Sequence, residues 1–286
     1  MAVDTFAGVI DLAHALRAGW VEFWYQPKID LKERHVVGIE MFARARHPFH
    51  GPLSAGVLLP GADEKTIAQL TIFALRWATQ AAEALALEEV RLPITVNVPA
   101  SAVMPQALAN LLGEATRKDD WPGLILDLPK GDILANHGHF ARIQDELATL
   151  RIRLAADDFC GNLRRLMRQT NPEALYDEME AMSLHLKKLK HLSLAEIKLE
   201  RDLIAGCSED KGRTMLCELL IELIHQLGAK AVAVGVEKHA DAAVLQSIGC
   251  DVAQGHIFSE PLALEQLMLL FKRRRGATAK VAGAPR

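Results

Sequence analysis

The stretch Val21–Phe42, VEFWYQPKIDLKERHVVGIEMF, contains two β-rich runs, Val21–Ile29 and Val36–Phe42, with the charged residues Asp30–His35 between them. A connection that short suits a hairpin, because a parallel crossover needs a dozen residues or more. The first strand is therefore expected to run antiparallel to the second. Further along, the candidate strands are Pro93–Val98, Leu124–Leu128, Arg153–Asp158, Glu196–Leu199, Ala229–Val236 and Val252–Gln254. Amphipathic segments lie between most of them: Glu64–Ala86, Gly138–Leu150, Lys211–Leu227 and Ala240–Ser247. In Lys211–Leu227 the residues Met215, Leu216, Leu219, Leu220, Leu223 and Ile224 recur at helical spacing. Strand–helix alternation of this kind builds a parallel sheet with crossover helices. Eight strands over roughly 250 residues predict an α/β fold, a TIM-like (β/α)8 barrel with an antiparallel first strand, in preference to an open sheet.

The composition supports one large folded unit. The chain has 286 residues, 50% of them hydrophobic and 24% charged, so apolar burial is ample to offset chain entropy. Aromatic residues make up only 5%, which leaves the core to Ala, Leu, Ile and Val. Lys and Arg number 33 against 36 Asp and Glu, giving a formal charge of −3 and no basic field to argue for DNA. No apolar run is long enough to span a membrane. The acidic start Met-Ala-Val-Asp-Thr lacks the basic and apolar regions of a secretory signal. Cysteines at 160, 207, 217 and 250 form no CxxC pair, which reads as reduced thiols in a cytoplasmic protein. A single domain is expected over residues 1–271. Residues 272–286, with Lys272-Arg273-Arg274-Arg275 followed by Gly, Ala and Pro, are expected to form a disordered basic tail.

In a barrel of parallel strands, side chains at the carboxyl ends converge on one mouth, where the chemistry sits. Those positions here are Glu40, Asn97, Asp127, Asp157 with Asp158, Lys198, Glu237 and Gln254. Taken singly, a strand-end acid is better read as a helix cap or loop residue. Taken together, several oxygen donors from separate strands are the means of holding a hard divalent cation such as Mg²⁺ or Mn²⁺. The adjacent Asp157-Asp158 pair, closing the apolar Leu154-Ala155-Ala156, could bridge two such cations in the arrangement that supports phosphodiester hydrolysis.

These same residues carry a family resemblance. Tyr25-Gln26-Pro27, Gly38-Ile39-Glu40-Met41-Phe42-Ala43-Arg44 and His47-Pro48 resemble the opening of the EAL family of cyclic di-GMP phosphodiesterases and their inactive relatives. The match continues in order through Val96-Asn97-Val98, Asp157-Asp158-Phe159, Ile197-Lys198, Gly235-Val236-Glu237, Gln254-Gly255 and Phe258-Ser259-Glu260-Pro261-Leu262. The resemblance implies metal ligands at Glu40, Asn97, Asp127, Asp157 and Asp158, and a catalytic role for Lys198, which positions the attacking water, together with Glu40. It implies ligand contacts from Gln26 to a guanine and from Arg44 to a phosphate. It also places Glu237 and Gln254 about the nucleotide, and Phe42, standing where the name motif has leucine, could stack on a base or block it.

The sequence departs from the pattern at points that bear on catalysis. The AEGVE strand reads Ala233-Val234-Gly235-Val236-Glu237, so Val234 stands where the family has a glutamate ligand to a second metal. The ExTE motif reads Asp127-Leu128-Pro129-Lys130, with a shorter first acid and a lysine for the last glutamate. The loop DFGTGYSS has become Asp158-Phe159-Cys160-Gly161-Asn162-Leu163-Arg164-Arg165. An insertion around residues 171–191, in which Glu173, Tyr176, Glu180, Leu184 and Lys187 recur at helical spacing, reads equally as a helix over the mouth or as a surface excursion. The expectation is a catalytically impaired EAL protein of bacterial signalling, acting as a cyclic di-GMP receptor or through protein contact by residues 159–191. An active phosphodiesterase is the alternative. Mg²⁺ or Mn²⁺ is the expected cation if one is bound, and a homodimer is left open.

Overall fold

The computed structural model describes residues 10–157 and 184–282, with side chains as far as Arg273. Asp158, the Cys160–Arg165 loop and residues 171–183 of the insertion lie outside the described residues. The strands are β1 Val21–Asp30, β2 Val36–His47, β3 Gly51–Ser54, β4 Ile94–Asn97, β5 Leu124–Pro129, β6 Ile152–Asp157, β7 Leu194–Leu199, β8 Lys230–Val234 and β9 Val252–Gln254. The α-helices are α1 Leu12–Arg17, α2 Ala55–Leu58, α3 Glu64–Leu87, α4 Pro105–Leu112, α5 Lys130–Thr149, α6 Arg201–Ile204, α7 Lys211–Gln226, α8 His239–Ser247 and α9 Leu264–Ala282. Residues 184–189 add a helical segment before β7.

The strands hydrogen-bond in the order β1-β9-β8-β7-β6-β5-β4-β2-β3, and β1 also pairs with β2. That last pairing closes the sheet into an eight-stranded barrel and leaves β3 as a short extension of β2. β1 is antiparallel to both neighbours, β2 and β9, whereas the pairs from β2–β4 round to β8–β9 are parallel. The expected hairpin and barrel are both present.

Helix α3 illustrates how the outer layer forms. Asp63 caps it, its carboxylate accepting from Thr66 N at 2.7 Å. Leu70, Ala74, Ala78, Ala81 and Leu85 then bury one face at helical spacing. Phe23 on β1 anchors the helix through rings of Phe73 and Trp77, at centroid separations of 5.6 and 6.1 Å. Helix α7 starts in the same manner, with Asp210 accepting from Arg213 N at 3.1 Å.

Two elements differ from the sequence expectation. Helix α5 begins at Lys130, earlier than Gly138, and carries a non-helical Asn136 (φ −113°) that splits its periodicity. Helix α9 continues to Ala282, through most of the stretch expected to be an irregular tail. Lys, Arg and Ala are strong helix formers, and the lone Gly276 costs about 1 kcal/mol against them. No helix among the described residues is long and apolar enough to cross a membrane.

Candidate functional site

Two polar layers fill the barrel interior. The lower is centred on Lys28, which is fully buried on the inward face of β1. Its ammonium donates to Thr95 Oγ1 on β4 at 2.6 Å and to Glu196 Oε2 on β7 at 2.5 Å. The upper layer lies at the mouth. Asn97 and Asp127 are register partners on β4 and β5, and Glu40 stands beside Thr95 on β2. Lys198 reaches across from β7 and donates to Glu40 Oε1 at 2.8 Å and to Asp127 Oδ2 in a shorter contact. Asn97 Nδ2 donates to the same Glu40 oxygen at 3.2 Å.

The electrostatics follow from burial and this one ammonium. Glu40, Asp127 and Lys198 are each no more than 2% exposed. Burial works to raise the Glu40 pKa, but the charge and hydrogen bond of Lys198, with help from Lys28 and Asn97, hold it below its ordinary value. Burial dominates at Asp127 and pushes its carboxyl up to about 7; Lys198 opposes the rise, while Glu40 and Asp157 add to it. For Lys198, burial favours the neutral form, but Glu40, Asp127 and Asp157 outweigh it and raise the pKa. Among the described residues, Glu40 Oε2 and Asp127 Oδ1 are buried without a hydrogen-bond partner.

A cavity of about 490 Å³ opens onto this cluster. Its polar wall is Glu40, Asn97, Asp127, Asp157 and Lys198, joined by Val234 and Phe42. Its other side is apolar, reaching Leu59 just after α2 and Ile67 and Leu70 of α3. Gln26 and Gln254 are buried together on neighbouring strands: Gln254 Nε2 donates to Gln26 Oε1 and Gln26 Nε2 to the Ser259 carbonyl, both at 2.8 Å. Arg44 lies with its guanidinium 5.5 Å from the Trp24 ring centroid. Glu237 turns away from the cluster, accepts from Arg201 at 2.6 Å, and lines a separate cavity of about 260 Å³.

The fold thus gathers Glu40, Asn97, Asp127, Asp157, Lys198 and Phe42 at one cavity and sets Gln26 with Gln254 apart as a hydrogen-bonded pair. The sequence reading missed Lys28, Thr95 and Glu196. Their signal was present, since Lys28 alternates with Gln26 on β1 and Glu196 with Lys198 on β7.

The donor chemistry suits a hard divalent cation. Carboxylate oxygens of Glu40, Asp127 and Asp157 and the amide oxygen of Asn97 are donors of the type Mg²⁺ or Mn²⁺ takes. The Val234 side chain, on the same wall, offers no donor atom. Among the described residues, no group of three or more His, Cys, Asp or Glu forms a metal-binding set.

An interior-lined barrel mouth with carboxylates, an amide and a lysine on separate strands defines a TIM-like site of the acidic, oxygen-donor class. Residues 10–170 and 177–261 match the EAL domain, and the chain belongs to the EAL domain family. It is 27% identical over 269 residues to the bifunctional diguanylate cyclase/cyclic di-GMP phosphodiesterase MucR of Pseudomonas aeruginosa, covering 90% of this chain and 35% of that protein. It is likewise 27% identical over 264 residues to the cyclic di-GMP phosphodiesterase NbdA of the same organism, covering 90% of this chain and 31% of that one. The chain therefore spans about a third of the length of these relatives. The structure of the MucR phosphodiesterase in complex with c-di-GMP superposes with a TM-score of 0.71 at 26% identity, over 90% of this chain and 98% of that chain. The FimX EAL domain of Pseudomonas aeruginosa, bound to c-di-GMP, shares the fold with a TM-score of 0.68 at 19% identity, over 88% of this chain and 96% of that chain.

Proposed function

We propose that this EAL domain binds cyclic di-GMP at the barrel mouth and hydrolyses it slowly or not at all, acting as a receptor in signalling. The observation that carries the reading is Val234, which lines the cavity with Glu40, Asp127 and Lys198 and has no side-chain atom able to ligate a cation. A two-cation site activates the nucleophile and clamps both reacting oxygens. A mouth that lacks one second-metal ligand loses part of each contribution. Mg²⁺ or Mn²⁺, where bound, is held by Glu40, Asp127 and Asn97, with Asp157 and Asp158 as further ligands, and supplies charge stabilisation to the phosphodiester. Lys198 and Glu40 remain where the reacting water would lie.

The nucleotide side of the site is better kept than the metal side. Gln26, Arg44 and Gln254 are retained, and Phe42, in place of the leucine of the name motif, lines the cavity where it could stack on a base or block it. The MucR phosphodiesterase, similar over 90% of this chain, was solved with c-di-GMP. Glu237 serves the loop through Arg201 and is a weaker candidate for ligand contact. A second reading, a working one-cation phosphodiesterase, is favoured by the intact convergence of Glu40, Asn97, Asp127 and Lys198. Residues 159–191 remain the segment through which a protein partner would be held.

Titration calorimetry of the full chain with cyclic di-GMP in EDTA tests the receptor reading. Saturable binding at micromolar ligand is expected, and the absence of heat at high micromolar ligand would overturn it.

A further inference from the structure

We propose that Lys198 is a built-in countercation, whose ammonium competes with a divalent metal ion for Glu40 and Asp127 and keeps metal affinity at the mouth low. Each carboxylate gives one oxygen to Lys198 Nζ, Glu40 Oε1 at 2.8 Å and Asp127 Oδ2 in the shorter contact. The second oxygen of each, Glu40 Oε2 and Asp127 Oδ1, is buried with no hydrogen-bond partner among the described residues. A buried acceptor left unpaired is costly, so these two atoms mark the position a cation would take. An ion there would share both carboxylates with a fixed ammonium and would meet its repulsion at short range, in a medium that screens poorly.

Lys198 is 2% exposed and lines the wall of the mouth cavity with its ammonium tied to both carboxylates, so it is not the solvated, freely swinging group that a surface lysine is. Lys28 adds a second positive charge one layer below, and its field reaches Glu40. Val234 removes the acid that would otherwise tip the balance toward a metal. Lys198 thus offsets part of the carboxylate charge at the mouth from within.

The inference rests on reading the mouth as the functional site, but its test uses Mn²⁺ alone. Whether cyclic di-GMP binds is therefore decided separately. The wild-type chain and the variants Lys198→Met and Lys198→Gln are titrated with Mn²⁺, following loss of the free-ion electron paramagnetic resonance signal. The Gln variant keeps a hydrogen-bond donor for Glu40, which guards against collapse of the site. Both variants are expected to bind Mn²⁺ at least tenfold more tightly than wild type and to gain more in melting temperature on its addition. Equal or weaker binding in the folded variants overturns the proposal. So does a variant that stays unfolded at millimolar Mn²⁺, because freed carboxylates should be stabilised by the ion.

Discussion

Gly38 leaves the space through which Lys28 crosses the barrel: a Cβ at Gly38 would stand 3.0 Å from Lys28 Cε and 3.5 Å from the Pro93 carbonyl oxygen. The missing side chain on β2 thus permits the ion pair between Lys28 on β1 and Glu196 on β7, beneath the mouth. Gly38→Ala is expected to destabilise the fold by about 1–3 kcal/mol through overpacking, read as a lower urea midpoint. A wild-type midpoint would show that the Lys28 side chain moves aside freely.

Removing the charge itself should cost more. Lys28→Met leaves Glu196 buried and uncompensated, with an expected loss of about 3–5 kcal/mol. The double variant Lys28→Met/Glu196→Leu removes both charges and should recover most of that loss. Urea denaturation of the single and double variants checks the sign of the coupling.

Asp241 supplies a pH-dependent share of stability. It is buried and accepts from Gly206 N at 3.0 Å, Ser208 N at 3.0 Å and Ser208 Oγ at 2.6 Å. Burial disfavours its charge, but the bonds from Ser208 and Gly206 prevail and hold its pKa below the ordinary value. A depressed folded pKa gives stability that is fully present above the unfolded pKa, roughly 3.9, and lost as pH falls through the folded one. Asp241→Asn should therefore be less stable than wild type at pH 7, by about 1–3 kcal/mol, with the difference shrinking as the pH drops below 4. Paired melting curves across that range measure it.

The buried thiols are expected to be inert. Burial raises Cys207 to about 12, Cys217 to about 11 and Cys250 to about 12, so the reactive thiolate is scarce at neutral pH. Iodoacetamide at pH 8 should leave these three unlabelled in the folded chain and label them in urea, as mapped by mass spectrometry. Rapid native labelling of any of them would show that its surroundings open readily.

In the proposed receptor reading, Arg44 is the residue that would contact a phosphate. A guanidinium contact to phosphate is charge-assisted, and losing one costs about 1.5–3 kcal/mol. Arg44→Ala should weaken cyclic di-GMP binding by roughly tenfold or more in calorimetry. Equal affinity in the variant would move the phosphate site elsewhere.

The barrel was legible because its signals are local. The Asp30–His35 connection is too short for a crossover, and Asp157 closes the apolar run Leu154-Ala155-Ala156. The Lys28–Glu196 pair was not legible, since it joins residues 168 apart in sequence and depends on which strand face closes inward. The same limit applies to Glu237. Its position after β8 suggested the mouth, whereas Arg201, 36 residues away, holds it to the side. Helix α5 was shortened in the sequence reading because Asn136 and the glycine at 138 interrupt its period.

The central claim is tested most directly by chromatography of cyclic di-GMP incubated with the purified wild-type chain and Mn²⁺. The nucleotide is expected to be recovered intact after prolonged incubation, and Val234→Glu alone should not restore full turnover, because Asp127 remains short and Lys130 keeps its reversed charge. Rapid accumulation of linear pGpG from the wild-type protein would contradict the account and establish a working phosphodiesterase.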